Sequence, residues 1–371
     1  MILTEEQQMI QDTAREFAVN ELLPRVPELE KEGSSIPLDL VKRCGELGFF
    51  RIIVPEELGG LGMGYFELGL VVEEIGKVSP GFSMTIQSLG QGHMTLLAYP
   101  DLAHYFEPAL NGEILTETAV TDPAGSSNFD EWSIMAKKDG DEWVINGTKN
   151  FVSLNGYCQV CFFPAKCDDG EYRMFAVEKG HPGFDNSHIE ETLGFSGTTM
   201  GQPTWVNVRL PESRAIPFGN DLSAFGSAIL TMSTTALACA EGALDKAIEY
   251  AKNRTRSGKP LMDLQVVAHK LARDFTKLQY CRSFLYEAYH ECDAGTLTPI
   301  TSCMIKAYTV ETALEVIADC VQLHGGLGVC ENMGIARYYR DIMHPVIGDW
   351  TADIHYQTIA NKLGWQAARG L

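Results

Sequence analysis

The stretch Ser133-Ile134-Met135-Ala136-Lys137-Lys138-Asp139-Gly140-Asp141-Glu142-Trp143-Val144-Ile145 decides the fold class. Strand-like segments lie on both sides of Asp139-Gly140, a dipeptide suited to the left-handed backbone of a tight hairpin turn. The same construction recurs where Tyr157 to Ala165 and Glu171 to Val177 flank Asp168-Asp169-Gly170, and Thr204 to Leu210 alternates as a further strand. The middle of the chain therefore reads as antiparallel β-structure.

Outward from this block the apolar period changes from two to 3.6 residues. Thr4 to Gln7 has the form of a capping box, and Ile10, Ala14, Phe17 and Ala18 then follow as one apolar stripe until Pro24 stops the helix. A second helix is expected with Pro37 in its first turn and its end at Gly48, and a third from Tyr65 to Val78. On the C-terminal side, Leu222 to Asn253, Leu264 to Ala294 and Ile300 to Leu323 are long apolar-periodic stretches with few breakers. Helices, strands and helices in separate runs indicate separate layers or domains, an α+β multidomain chain, rather than alternating βαβ units. The boundaries expected are 1–112 for an N-terminal α-helical domain, 113–221 for the β domain and 222–371 for a C-terminal helical bundle.

The 371 residues are too many for one hydrophobic core, and 45% hydrophobic content suits a packed protein. A net charge of −20 argues against a nucleic-acid partner and against docking on anionic lipid, although a local basic pocket for a phosphate-bearing ligand is compatible with it. No apolar run approaches the ~18 residues needed to span a membrane. The start, Met1-Ile2-Leu3-Thr4-Glu5-Glu6, has neither the basic flank of a signal peptide nor the arginines of a transit peptide, so a cytoplasmic location is expected. The ten cysteines are scattered through core-like sequence and read as reduced, buried thiols. Cys158-Gln159-Val160-Cys161 falls in an expected strand, where positions three apart face opposite ways, and no second pair follows, so no metal site is expected. Gly59-Gly60-Leu61-Gly62-Met63-Gly64 reads as a turn between helices, because Glu73 and Glu74 lie too close to serve as the ribose acid of a dinucleotide site.

Six segments, in order along the whole chain, resemble signatures of the acyl-CoA dehydrogenase family. Pro55-Glu56-Glu57-Leu58-Gly59-Gly60 resembles Pro-Glu-x-x-Gly-Gly, and Thr121-Asp122-Pro123-Ala124-Gly125-Ser126 resembles Thr-Glu-Pro-x-Ala-Gly-Ser less one residue. Asn146-Gly147-Thr148-Lys149-Asn150-Phe151-Val152-Ser153 resembles Asn-Gly-x-Lys-x-Trp-Ile-Thr. Arg254, Gly258 and Gln265 match an Arg-x-x-Phe-Gly-…-Gln pattern with Ser257 in place of Phe, and Gln322, Gly325, Gly326 and Gly328 match Gln-x-x-Gly-Gly-x-Gly. Arg340-Asp341 and then Asp349-Trp350-Thr351 stand where the family has Arg-Asp and Glu-Gly-Thr. The resemblance implies a helical N-terminal domain, a middle antiparallel β-barrel and a C-terminal four-helix bundle. It also implies α,β-dehydrogenation of an acyl-CoA or other acyl thioester, with a base taking the α proton while the β hydride passes to N5 of FAD.

By the same resemblance Thr121, Ser126, Phe151, Ser153, Arg254, Gln265, Gln322, Gly325, Gly326 and Thr351 would bind FAD, with Arg254 and Gln265 reaching it from a neighbouring subunit of a homotetramer. Ser126, Gln87, Gln91 and Trp350 would bind the substrate, and an electron-transfer flavoprotein would accept the electrons. Asp349 aligns with the catalytic glutamate and is the candidate base. The alternative position for that base, in the first bundle helix, has no support, since Gly226 to Thr235 contains no carboxylate.

Four departures set this chain apart. Asp349 is one methylene shorter than the usual Glu, Trp350 replaces a glycine, Ile229 stands near the place of an Arg that supports CoA binding, and Asp353 replaces Gln or Glu. An aspartate base resembles the anaerobic dehydrogenases of alicyclic thioesters such as cyclohexane-1-carboxyl-CoA. A carrier-protein-bound acyl group is one alternative and a flavin monooxygenase on the same fold another; a carboxylate at position 349 favours dehydrogenation, because oxygenation needs no α-proton base.

Overall fold

The structure, a computed structural model, describes residues 2–125, 129–219 and 225–365. The N-terminal helices are α1 (Glu5–Phe17), α2 (Val26–Glu32), α3 (Leu38–Glu46), α4 (Tyr65–Val78), α5 (Pro80–Thr95) and α6 (Phe106–Leu110). The strands are β1 (Thr116–Thr118), β2 (Met135–Asp139), β3 (Glu142–Thr148), β4 (Val152–Ser153), β5 (Val160–Cys167), β6 (Tyr172–Glu178), β7 (Phe184–Asp185), β8 (Met200–Gly201), β9 (Thr204–Pro211) and β10 (Ala215–Pro217). Helix α7 (Gly226–Asn253) follows, then a hairpin of β11 (Thr255–Arg256) and β12 (Lys259–Pro260), then α8 (Gln265–Asp293), α9 (Pro299–Leu323), α10 (Ala336–Asp341), α11 (Met343–Ile347) and α12 (Ala352–Lys362).

By packing, the chain forms two compact units. One is built from Met1–Leu23, Gly69–Ser83 and Phe225–Leu371, the other from Pro24–Leu68 and Met84–Ala224. The division falls inside α4 and α5.

In the helical unit, Thr4 caps α1 with both halves of the capping box in place. Beyond Phe17 the helix relaxes into a π turn over Ala18–Leu22 before Pro24, a local widening that the apolar stripe does not signal. Helices α7, α8, α9 and α12 pack on one another, α7 against α8 and α9, and α12 against α9. Helix α7 is the core of this bundle. It is long and apolar enough to cross a membrane by length and composition, but 89% of its apolar window is buried inside the protein, as in a core helix. Glycine lets α4 approach it closely: a Cβ at Gly242 would lie 2.1 Å from the Lys77 carbonyl oxygen.

A buried polar cluster crosses this helical core. Glu73 accepts from the Arg282 guanidinium at 2.9 and 3.2 Å and from the Tyr286 hydroxyl at 3.0 Å, and Arg282 also pairs with Glu241. Lys77 approaches Glu73 at 3.5 Å and Glu74 at 3.0 Å. Burial alone would push Glu73 up; Arg282 and then Lys77 outweigh it and hold the carboxyl below its ordinary value. Glu241 moves the other way, up to about 7, because burial and then the Glu73 charge act against its ionised form.

In the sheet-containing unit the strands hydrogen bond in the order β10-β6-β5-β2-β3-β9-β7, and β1 also joins β5. Both hairpins expected from the sequence are present: β2 pairs antiparallel with β3 and β5 with β6. Two pairings differ from an all-antiparallel block. Along one edge of β5, β1 pairs parallel at Val160 to Phe162 and β2 pairs parallel at Lys166 and Cys167. Turn residues signal only local hairpins; a parallel pair needs a long crossover that leaves no such mark. The sheet core is aromatic, with Phe163 4.3 Å from Trp205 and 5.7 Å from Phe175, and Trp143 5.9 Å from Phe175 (ring centroids).

Cys158 and Cys161 do not face opposite ways as expected. Cys158 precedes β5, so strand alternation does not govern it, and both thiols lie beside the buried Glu117 carboxyl. Burial pushes that carboxyl up to about 7. All ten cysteines are free thiols, and no metal-holding cluster is found among the described residues.

Removing Arg282 leaves Glu73 buried without its main counter-charge. Arg282→Met should therefore lower stability by about 3 kcal/mol, and Glu73→Gln in the same chain should recover part of the loss. Denaturant unfolding of the two variants checks this; a loss that Glu73→Gln leaves unchanged would show that the cluster contributes through packing alone.

Candidate functional site

Two buried charges organise the flavin-type segments of the sheet-containing unit. The Asp122 carboxylate accepts from the Ser133 amide and hydroxyl at 3.0 and 2.9 Å, from the Ala124 amide at 3.1 Å and from the Ile134 amide at 3.2 Å. Burial raises its pKa, but these donors, the Ser133 amide first, bring it below the ordinary carboxylate value. Lys149 is fully buried; its ammonium donates to the Val120 carbonyl at 2.8 Å, stands 3.7 Å from Asp122 and sits 3.6 Å from the centre of the Trp132 ring. Burial lowers Lys149 to about 7, against the pull of Asp122.

This knot brings two of the expected segments together. The Asn150 amide donates to the Thr121 carbonyl at 2.8 Å, which seats Thr121 beside the strip carrying Phe151 and Ser153. Phe151 has a left-handed backbone, φ 54°, and the residue is 64% exposed. Strands β4 and β8 pair Ser153 with Met200 directly behind it. An aromatic face held out in this way suits a flat ring ligand. Ser126 lies outside the described residues. Gln87 is buried on α5 with its amide donating to the Met84 sulfur at 2.7 Å, and Gln91 is half-buried one turn further on.

In the helical unit the expected residues fall into two groups. The first gathers at one end of the bundle. Tyr250 near the end of α7 stacks on His324 at the end of α9, with 4.2 Å between ring centres. Lys270, in the first turns of α8, donates to Gln322 at 3.0 Å and to Asp319 at 2.5 Å. Arg254 and Gln265 are exposed here, and Arg254 has no carboxylate partner among the described residues. The β11–β12 turn places Ser257 and Gly258 both at positive φ, 51° and 79°, the backbone of a two-residue hairpin turn. Gly325, at φ 61°, and Gly326 are open: a Cβ on either would meet no protein atom within 4 Å.

Asp349 heads the second group, at the other end of α9. From Lys306, which touches this group, to Gln322 is 16 residues of continuous helix, about 24 Å. One chain thus keeps Asp349, Trp350 and Thr351 apart from Arg254, Gln265, Gln322, Gly325 and Gly326. Asp349 and Trp350 both have left-handed backbones, φ 51° and 67°. The Asp349 carbonyl accepts from His355 Nε2 at 2.9 Å, and Lys306 donates to the Pro345 carbonyl at 2.6 Å and the Trp350 carbonyl at 3.3 Å.

Protein surrounds the Asp349 carboxyl although the residue keeps part of its surface accessible. Burial raises its pKa above the ordinary Asp value, with Lys306 opposing. Trp350 is 7% exposed, packed edge-on against Phe225 at 5.3 Å, and its indole N–H has no acceptor among the described residues. Thr351 is exposed and sits at the N-cap of α12 without a side-chain cap bond.

In the sheet-containing unit the outward Phe151 aromatic face fits a flavin ring, and in the helical unit the uncompensated Arg254 cation and the open Gly325 and Gly326 fit the phosphates of such a dinucleotide. Sequence reasoning missed Asp122, Lys149, Lys306 and His355 as organising groups. Lys149 and Asp122 lay inside quoted motifs, and Lys306 is a lone cation in the apolar run Cys303-Met304-Ile305-Lys306-Ala307.

Residues 4–117, 117–208 and 220–364 match the acyl-CoA dehydrogenase N-terminal, middle and C-terminal domains. The chain is 30% identical over 355 residues to cyclohex-1-ene-1-carbonyl-CoA dehydrogenase of Geobacter metallireducens, an alignment spanning 91% of this chain and 93% of that one. It is 27% identical over 376 residues to the caffeyl-CoA reductase-Etf complex subunit CarC of Acetobacterium woodii, over 98% and 99% of the two chains. The solved acyl-CoA dehydrogenase of Geobacillus kaustophilus has a TM-score of 0.91 at 27% identity, covering 98% of this chain and 99% of its own. With its N-terminal helices, curled middle sheet and C-terminal helical domain, the chain belongs to the acyl-CoA dehydrogenase family of FAD-dependent oxidoreductases.

Proposed function

We propose that this protein removes the α proton and β hydride from a ring-bearing acyl-CoA, with Asp349 as the base. The observation that carries the reading is the Asp349 loop: a carboxylate with a raised pKa, presented by a left-handed backbone that two buried side chains tie down. A base must be ionised at working pH yet basic enough to accept a carbon acid's proton, and burial moves an aspartate in that direction. FAD, when bound, supplies the hydride acceptor. Thr121, Phe151 and Ser153, together with Ser126, are assigned to the cofactor, as are Arg254, Gln265, Gln322, Gly325, Gly326 and Thr351. Gln87, Gln91, Ser126 and Trp350 are assigned to the substrate.

A flat, ring-bearing acyl group is favoured by Trp350, which fills volume that a glycine would leave open. The Geobacter and Acetobacterium relatives, whose names carry ring-bearing conjugated acyl groups, support the same reading. The second of these works in an Etf complex, so an electron-transfer flavoprotein is the proposed acceptor here. Separation of the two residue groups along α9 supports a homotetramer in which a neighbouring subunit completes each cofactor site, and the charge and cysteine content support a cytoplasmic setting.

Asp349→Asn keeps shape and removes the proton acceptor. FAD content should be retained, while anaerobic flavin bleaching by the best thioester slows by roughly 10²–10⁴-fold. In the parent, bleaching should weaken as pH falls, because protonating Asp349 removes the base, and the raised pKa puts that limb above the ordinary Asp range. Full activity in Asp349→Asn would place the base elsewhere.

Trp350→Gly should relieve the left-handed backbone at this position while opening a cavity beside Phe225. Straight-chain and ring thioesters should then be reduced at more similar rates than in the parent. An unchanged substrate order would show that the indole does not shape the acyl site.

Arg254→Ala should lower FAD retention through gel filtration, since a charge-assisted pair with a phosphate contributes about 1.5–3 kcal/mol. Unchanged FAD content would remove Arg254 from the cofactor contacts.

A further inference from the structure

Lys306 is the least expected residue in the helical unit. It is fully buried, on α9, and carries no salt bridge within 4.0 Å among the described residues. Instead its ammonium donates to two backbone carbonyls, Pro345 at 2.6 Å and Trp350 at 3.3 Å, which bracket the base at both ends of one loop. His355 on α12 holds the carbonyl of the base itself at 2.9 Å. Between these ties Gly348 donates to the His344 carbonyl at 2.7 Å, and Asp349 and Trp350 both adopt left-handed backbones, which an Asp tolerates but a bulky Trp rarely takes up. The loop therefore does not hold its own shape; two side chains from two helices impose it.

We infer that Lys306 is a positioning residue for the reaction, fixing the Asp349 loop and supplying the counter-charge against which the Asp349 carboxylate works. The inference rests on Asp349 being the base.

The other titratable groups facing this cluster leave that charge to Lys306. His344 on α11 and His355 on α12 are lowered by burial to about 3 and about 4, so both are neutral near pH 7. Helix α7 brings no charged residue over 226–235. Asp353 on α12 is exposed, and Glu311 on α9 accepts from the Tyr356 hydroxyl at 2.7 Å. Burial lowers Lys306 to about 8, with Asp349 pulling it back up. Its cation is therefore present through the neutral range and is lost above it. Loss of that cation removes the one influence that opposes burial at Asp349.

The test uses the FAD-loaded protein and anaerobic flavin bleaching from pH 5.5 to 9. Lys306→Met removes both the ties and the charge; Lys306→Gln keeps a donor and removes only the charge. In both, the ascending limb should move up by about one pH unit, the scale of a nearby opposite charge. Loss of rate at low pH should then exceed loss at the plateau by about tenfold. His355→Leu cuts a tie without changing charge, so it should lower the plateau and leave the limb in place. Unfolding provides a second readout: Lys306→Met should destabilise the parent more than it destabilises Asp349→Asn. A limb that stays put in both Lys306 variants, with additive unfolding effects, overturns the inference. Full bleaching in Asp349→Asn instead overturns the reading of Asp349 as base, so the two failures are distinguishable.

Discussion

A buried ammonium with no carboxylate within bonding reach must find oxygen somewhere, and Lys306 finds it in two backbone carbonyls. That requirement shapes the end of the bundle. Residues 345–350 curl over α9 to bring both carbonyls to one nitrogen, and the curl is tight enough to force two consecutive non-glycine residues into the left-handed region. The carboxylate at the turn is presented as a by-product of satisfying the lysine. The sheet-containing unit holds its own buried ammonium with a carboxylate nearby: the fully buried Lys149 stands 3.7 Å from Asp122, donates to the Val120 carbonyl and lies over the Trp132 ring, next to the Thr121 carbonyl that accepts from Asn150. Each unit thus uses one buried lysine to hold the backbone of a loop.

How much of this the sequence carries depends on range. Features set within a few residues are legible. The Thr4 capping box, the helix from Tyr65 to Val78, the Asp139-Gly140 hairpin and the strand beginning at Thr204 all follow from turn chemistry and apolar period. Helix α5 is not marked in the same way, because Pro80-Gly81 at its start and Gly90 and Gly92 within it read as breakers, although packing overrides them. The parallel pairings of β5 are also silent. So is the meeting of Cys158 and Cys161 at Glu117, which depends on β1 arriving from more than forty residues upstream.

For the site, the motif residues could be named from the sequence, but the groups that set their geometry could not. Lys306 belongs to an apolar helical run and reads as an anomaly; only the fold shows which carbonyls it serves. Trp350 reads as an obstruction beside the base, while in the structure it is also a packing residue set against Phe225 with a free indole donor. A pattern of residue types cannot separate a packing role for such a side chain from the substrate role proposed for it.

The shared edge of β5 has a consequence for the order in which the chain assembles. The β2–β3 and β5–β6 hairpins close short loops and can form early, whereas β1 must wait for a partner whose register runs from Thr116 to Val160. The segment between β1 and β2 contains Thr121 and Asp122. It gains fixed ends only when both parallel pairings have closed on the same strand. On this topology the segment carrying Thr121 and Asp122 is among the last parts of the sheet-containing unit to acquire its shape, because its own bonds to Asp122 from Ala124, Ser133 and Ile134 close between ends that pairings distant in sequence must fix.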